Sequence, residues 1–153
     1  MLRLVLDTNV WLDWLVFDDP GIKVLQAAVG AGEAEIIINA DCEAELLRVL
    51  GYPLQKWTLD AGQQIACIER CRSVAQKMET PCTITLPACA DNDDQKFLEL
   101  SAGACAHYLL SRDQALLALA RHRPSLPFHI VTPEEFTARR GVESAGGTMP
   151  HAV

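Results

Sequence analysis

The sequence predicts a three-layer α/β/α fold, in which helices cover both faces of a central, mainly parallel sheet of four to five strands. Short apolar runs alternate with segments of helical periodicity, at residues 2–6, 35–39, 83–86, 107–110 and 127–131. The first run, Leu-Arg-Leu-Val-Leu, is apolar almost throughout, as is typical of a parallel strand covered on both faces. Alternating strands and helices favour one parallel sheet over an antiparallel architecture.

Helices are predicted between these strands. The first covers residues 10–17 and ends at Asp18-Asp19-Pro20-Gly21, and the second covers 22–29. A third helix, 40–50, has an apolar face and acidic residues in its first half. Acids in a first turn ordinarily complement the helix dipole, which explains Asp41 and Glu43 better than Glu45, one turn further in.

The second half of the chain continues the pattern. A long packing helix is predicted from a Thr58 cap through about Met78. The acidic stretch 91–97 opens another helix, and residues 114–120 form the next. Thr132-Pro-Glu-Glu135 is a capping box with proline at the first helical position, and it starts a terminal helix through about Arg140.

Composition predicts one globular domain. The chain has 153 residues, half of them apolar, which is enough for a substantial core. We expect the domain to cover residues 1–140 and residues 141–153 to form a flexible tail. The sequence contains neither the roughly 18–20 uninterrupted apolar residues of a membrane span nor a secretory signal, so we expect a cytoplasmic protein without membrane contact.

The six cysteines and four histidines do not predict a zinc site. The cysteines include no Cys-x-x-Cys pair, and in a reducing compartment they are expected to be small buried hydrophobes. The net charge of −7 argues against passive nucleic-acid binding but equally fits a concentrated carboxylate site.

Asp7 is the first candidate for such a site. It directly follows the first strand, and ligands of open parallel sheets lie at the carboxyl ends of strands. The alternative is that Asp7 or Thr8 only caps the helix that starts near Asn9. The same order of apolar strand, small polar residue, acid and helix recurs at Ser111-Arg112-Asp113, which favours a site.

Four acidic positions at element ends converge in such a sheet: Asp7, Glu45, the cluster of Asp91, Asp93 and Asp94, and Asp113. Carboxylates meeting in a cleft repel one another unless a hard divalent cation, Mg²⁺ or Mn²⁺, neutralises them. Such sites hydrolyse phosphodiesters, because the ion lowers the pKa of a bound water. Thr8, Asn9 and Ser111 are candidates to orient the carboxylates or the scissile phosphate.

At these residues the sequence resembles the PIN-domain nucleases, specifically the bacterial branch of toxins from toxin–antitoxin pairs (VapC-like), over roughly residues 2–140. The matching segments are Leu6-Asp7-Thr8-Asn9-Val10, Glu45-Leu46 with Arg48-Val49-Leu50 and Pro53, Asp91-x-Asp93-Asp94-x-Lys96-Phe97-Leu98, Ser111-Arg112-Asp113 with Leu116-Leu117, and Val131-Thr132-Pro133-x-Glu135-Phe136. Each is weak alone, whereas their order and spacing together are fairly specific.

The resemblance implies Mg²⁺- or Mn²⁺-dependent cleavage of single-stranded RNA, with Asp7, Glu45, Asp94 and Asp113 as the catalytic, metal-binding acids. It also implies an antitoxin protein as partner, and we expect a homodimer. Trp11 and Trp14 are expected in the core, with a dimer or antitoxin contact as the alternative.

The chain departs from the family pattern at three positions. The family often reads Asp-Pro-x-Asp-Asp/Asn-Lys-Phe and Thr-Gly-Asp, where this chain has Asn92, Gln95 and Arg112. We therefore favour Asp94 as the ligand, with Asp91 as the second candidate. Arg112 is expected either to pair with Asp113 or to contact substrate phosphate.

Two other enzyme classes are excluded by the first strand. A phosphotransfer or haloacid-type hydrolase needs a second Asp where Asn9 stands, and a dinucleotide-binding domain needs a glycine-rich loop after the first strand. The remaining alternative is a catalytically degenerate PIN fold that binds RNA or protein, and it has the same fold.

Overall fold

A computed structural model describes residues 1–88, 92–122 and 125–141 of the chain. Its strands and helices, in chain order, are β1 (Leu2–Leu6), α1 (Thr8–Leu15), α2 (Lys23–Gly30), β2 (Ala34–Ile38), α3 (Ala40–Leu50), α4 (Ala61–Val74), β3 (Ala75–Lys77), α5 (Gln95–Gly103), β4 (Tyr108–Leu110), α6 (Gln114–His122), β5 (His129–Val131) and α7 (133–141). Short 3-10 turns, Pro20–Ile22 and Asn92–Asp94, precede α2 and α5.

The five strands form one sheet in the order β3-β2-β1-β4-β5, and every pairing is parallel. This confirms the predicted α/β/α class and its strand count. Strand β1 is central: Leu4 is in register with Ile36 of β2 on one side and with Tyr108 of β4 on the other. The chain order reverses across β1, which is where open parallel sheets bind ligands.

The core lies on both faces of the sheet. Strand β1 is buried at Leu4, Val5 and Leu6, in keeping with its apolar sequence. Trp11 and Trp14 are 2% and 7% exposed, with ring centroids 5.9 Å apart, so the expectation that both lie in the core is confirmed. Burying two such side chains contributes several kcal/mol, which anchors α1 directly after Asp7.

The region between α3 and α5 differs from the prediction. The long helix begins at Ala61, and the residue that caps it is Asp60, which forms a reciprocal capping box with Gln63, rather than Thr58. It ends at Val74, because residues 75–77 leave the helix and pair with β2 as the edge strand β3. The strand predicted at 83–86 is wrong, since that segment pairs with no strand.

Other elements agree more closely with the sequence. Helix α3 covers the predicted residues 40–50. The capping box of α7 is present, because the backbone N–H of Glu135 donates to Thr132 Oγ1 and the N–H of Thr132 donates to Glu135 Oε1. The predicted flexible tail lies outside the described residues except for Gly141, which is helical and belongs to α7.

Glu43, in the first turn of α3, forms ion pairs with neighbouring elements. It is 7% exposed, and its carboxylate accepts hydrogen bonds from Arg72 at 3.0 and 3.3 Å and from Lys77 at 3.5 Å. These ion pairs tie α3 to α4 and β3, and they hold the pKa of Glu43 below its usual value, with the Arg72 hydrogen bond as the largest cause.

The described cysteines differ in burial. Cys42, Cys67 and Cys71 are buried thiols, whereas Cys82 is partly exposed and Cys105 is exposed, so burial is confirmed for three of the five described cysteines.

In the part of the chain that the structure describes, every helix is too short or too polar to span a bilayer.

Candidate active site

Asp7 stands at the junction of the sheet and α1. Its backbone N–H donates to the Leu110 carbonyl at 2.9 Å, which extends the pairing of β1 with β4 by one residue. Its side chain, in a residue only 4% exposed, accepts from the Thr8 N–H at 2.7 Å and from Ser111 Oγ at 2.6 Å. Asp7 is also the N-cap of α1, so the capping interpretation is confirmed for Asp7.

The environment of Asp7 disfavours its charged form. Burial raises the pKa of Asp7 to about 6, and the hydrogen bonds from Ser111 and Thr8 only partly oppose this. The negative charges of Glu45 and Asp113 raise this pKa further. The three carboxylates therefore share one electrostatic environment at the carboxyl ends of the central strands.

Glu45 reaches this site from α3, and both of its oxygens have partners. Thr8 Oγ1 donates a short hydrogen bond to Glu45 Oε2, and Lys96 Nζ lies 2.6 Å from Oε1. The Lys96 ammonium also donates to the Asp93 carbonyl at 2.6 Å. Lys96 lies in the first turn of α5, so this contact joins α5 to α3 beside Asp7.

Asp113 follows β4 and begins α6. Its Oδ1 accepts from the backbone N–H groups of Ala115 at 2.8 Å and Leu116 at 3.3 Å. Its other carboxylate oxygen accepts no hydrogen bond from the described residues. The fully buried Ser111 links the two acids, because its Oγ donates to Asp7 and accepts from the Asp113 N–H at 2.9 Å.

The acidic turn before α5 is only partly described. Asp94 is buried, at 8% exposed, and lies two residues before Lys96. Gln95, the departure from the family pattern, donates from Nε2 to the Pro87 carbonyl at 3.3 Å. Asp91 lies outside the described residues.

Arg112 does not form the predicted pair with Asp113. Its Nε donates to Asp13 Oδ2 at 2.6 Å, and its two terminal nitrogens donate to Glu134 at 2.7 and 2.9 Å. Its backbone N–H donates to Asn9 Oδ1 at 3.3 Å. The physical reason is that α1 and α7 place the carboxylates of Asp13 and Glu134 within hydrogen-bond distance of the guanidinium, which therefore pairs with them.

The donor set fits a hard divalent cation by its chemistry. Its ligand atoms are carboxylate and hydroxyl oxygens, which Mg²⁺ and Mn²⁺ prefer. The pKa of Asp7 is raised mainly by burial and less by the charges of Glu45 and Asp113, and a cation would offset both effects. Over the ranges that the structure describes, no three Asp, Glu, His or Cys side chains are grouped closely enough to surround one ion in their present positions. Glu45 in particular is turned to Lys96 and Thr8.

Two residues that lie beside the candidate acids, Lys96 and Cys42, were not among the predicted site residues. Lys96 belongs to a recognised motif, but its pairing with Glu45, 51 positions away, is a tertiary contact that no local pattern reveals. Cys42 is buried, and desolvation raises its pKa to about 12, with the charges of Lys96 and Glu45 acting on it more weakly. Its thiol therefore stays protonated and packs beneath the site.

The fold and the site together define an α/β domain with an acidic centre at the topological switch point of a parallel sheet. The model of the PIN domain family matches residues 3–115. The chain therefore belongs to the PIN-domain family, whose members are generally nucleases. No curated protein matches the chain.

Among solved structures, the chain is similar to one described as VapBC2 from Rickettsia felis bound to a DNA fragment from their promoter. The TM-score is 0.57 at 14% sequence identity, and the match covers 85% of this chain and 97% of the other. At this identity the likeness concerns the fold, which supports the all-parallel arrangement described above.

Proposed function

We propose that this protein is a Mg²⁺- or Mn²⁺-dependent endoribonuclease that hydrolyses phosphodiester bonds of single-stranded RNA. The observation that carries the proposal is the buried Asp7, whose pKa is raised to about 6 by burial and by the neighbouring Glu45 and Asp113 charges. A buried acid with a raised pKa at a ligand-binding edge, with further carboxylates beside it, is typical of functional sites. Membership of a nuclease family supports the same chemistry.

In this proposal Asp7, Glu45, Asp94 and Asp113 hold the metal, and Asp91 is a further candidate. A bound Mg²⁺ or Mn²⁺ would activate a water for attack and offset the charge of the phosphate. The protein itself keeps the acids in place: Ser111 fixes Asp7 against Asp113, and Thr8 fixes Glu45. Asn9 supports the 111–113 loop through the Arg112 N–H.

The proposed setting is that of a toxin in the cytoplasm, paired with an antitoxin protein and assembled as a homodimer. The similar Rickettsia felis structure contains VapBC2 and a promoter fragment, which supports an antitoxin partner for this chain. The homodimer rests on the family resemblance alone.

The second candidate is a degenerate PIN fold that binds RNA or protein without cleaving. It is favoured by one observation, namely that Lys96 already neutralises Glu45. Both candidates are compatible with RNA binding, but only the nuclease predicts cleavage that depends on a divalent cation.

Incubation of purified protein with labelled single-stranded RNA and Mn²⁺ distinguishes the two. We expect cleavage that EDTA abolishes and that Asp94→Asn lowers at least about tenfold. Losing a residue that only hydrogen-bonds a metal ligand already costs about 10–100-fold, and Asp94 is proposed as a ligand itself. Asp41→Asn is the matched control, because Asp41 is an exposed acid on α3 and its loss should leave cleavage unchanged. RNA binding without cleavage in either metal would leave only the degenerate module.

A further inference from the structure

Lys96 of α5 forms an ion pair with Glu45 of α3 within the candidate site. The ammonium lies 2.6 Å from Glu45 Oε1, and the two side chains are 21% and 13% exposed. A second bond to the Asp93 carbonyl at 2.6 Å and a position 5.5 Å from the Phe97 ring centroid fix the ammonium where it is. Lys96 is thus held by three contacts, and its side chain is less exposed than that of most surface lysines.

A cation at this place competes with any metal that uses Glu45. Glu45 Oε2 accepts a hydrogen bond from Thr8, and Oε1 accepts one from the Lys96 ammonium, so a metal that binds Glu45 must share the carboxylate with these partners or displace them. Bringing a divalent ion next to a fixed ammonium costs repulsion, which is only partly screened at this degree of burial.

We propose that Lys96 is a built-in counter-cation that occupies Glu45 in the metal-free protein and is displaced when a divalent ion binds. The inference builds on the site proposed above and adds that Lys96 sets its metal affinity. Lys96 neutralises an otherwise repulsive group of acids until the ion arrives, so the site remains ordered without metal. Its displacement frees the ammonium at the acidic edge, where substrate phosphate would bind in the proposed nuclease.

The test is the affinity of the full-length protein for Mn²⁺ alone, measured by the electron paramagnetic resonance signal of free Mn²⁺. We expect Lys96→Met to lower the Kd for Mn²⁺ about fivefold to tenfold, because the competing pair is absent. Lys77→Met is the matched control: Lys77 also pairs with a glutamate, Glu43, but outside the acidic site, so its loss should leave the Kd unchanged. Lys96→Gln provides a second variant that keeps a hydrogen-bond donor without charge.

Thermal unfolding gives a readout independent of activity. Without metal, Lys96→Met should lower the Tm, because Glu45 then faces Asp7 uncompensated, and the increase of Tm on adding Mn²⁺ should exceed that of the wild type. Unchanged or weaker Mn²⁺ binding by both Lys96 variants would overturn the inference, even if the wild type cleaves RNA. Tighter binding by the variants without RNA cleavage by any of the proteins would support the inference and overturn the nuclease. Absence of Mn²⁺ binding by all proteins would overturn both.

Discussion

Replacing Asp7 by Asn is expected to abolish metal-dependent RNA cleavage, lowering kcat/KM by about a thousandfold or more. Metal ions contribute several kcal/mol to stabilising a phosphodiester transition state, and each 1.36 kcal/mol corresponds to a factor of about ten. Asp7 is the most buried of the acids and contacts Ser111 and Thr8, so no neighbouring carboxylate can take its place. The amide has nearly the same shape, which leaves the fold intact.

The same substitution should stabilise the metal-free protein at neutral pH. Because the folded pKa of Asp7 is about 6 and its ordinary value is 3.8, Asp7 contributes stability that is fully present below pH 3.8 and is lost as the pH rises through 6. Between pH 5 and pH 8, the wild type should therefore lose about 1.5 kcal/mol more of its free energy of unfolding than Asp7→Asn does.

Urea unfolding in EDTA at several pH values measures this difference, and RNA cleavage in Mn²⁺ measures the activity. The control variant Asp41→Asn removes an exposed acid from α3 and should follow the wild type in both experiments. If Asp7→Asn cleaved RNA at the wild-type rate, Asp7 would not belong to the active site. Parallel pH profiles for the two proteins would show that Asp7 does not titrate with a raised pKa.

The sequence predicted the position of Asp7 because the relevant signals are local. A continuous apolar run, an acid at its end and a following helix are all visible within about ten residues, and carboxyl ends of parallel strands meet at one edge by geometry. The proximity of Asp7 to Asp113 follows from the same rule applied to β1 and β4, which are neighbours in the sheet. Helix α3 was predictable because its apolar residues recur at helical spacing over eleven residues.

Features set by tertiary contacts were not predictable in this way. Residues 75–77 form a strand because the exposed edge of β2 offers hydrogen-bonding groups to an Ala-Gln-Lys segment that has no strand pattern of its own. The contact of Lys96 with Glu45 joins residues 51 positions apart, and that of Arg112 with Asp13 joins residues 99 positions apart. The sequence shows that Lys96 and Arg112 are cations able to form ion pairs, but it does not show which distant carboxylate each of them contacts.

The second large effect that we expect is a loss of stability when Arg112 is replaced. Its guanidinium lies between Asp13, whose side chain is 10% exposed, and Glu134, whose side chain is 53% exposed. Removing one partner of a fully buried pair costs about 3–5 kcal/mol, and exposed pairs contribute little. Since Arg112 is itself 32% exposed, we expect Arg112→Met to lower the free energy of unfolding by about 2 kcal/mol at neutral pH.

The effect should depend on pH, because it comes mainly from Asp13. Burial raises the pKa of Asp13, and the hydrogen bond and charge of Arg112 oppose that rise. Without Arg112 the pKa of Asp13 rises further, so the protonated and neutral form prevails to higher pH. The destabilisation by Arg112→Met is therefore largest at neutral pH and shrinks as the pH falls through the pKa of Asp13.

A double-mutant cycle with Asp13→Asn separates this pair from the rest of the cluster. Arg112→Met should cost much less in the Asp13→Asn background, because the buried charge is already gone, whereas Glu134→Gln should change the cost little. Urea unfolding at pH 7.5 and pH 5 measures the free energy of unfolding of the wild type, the three single variants and the two double variants. If Arg112→Met leaves the free energy of unfolding unchanged and weakens only the binding of RNA, the guanidinium serves the substrate, and the ion pairs with Asp13 and Glu134 are expendable.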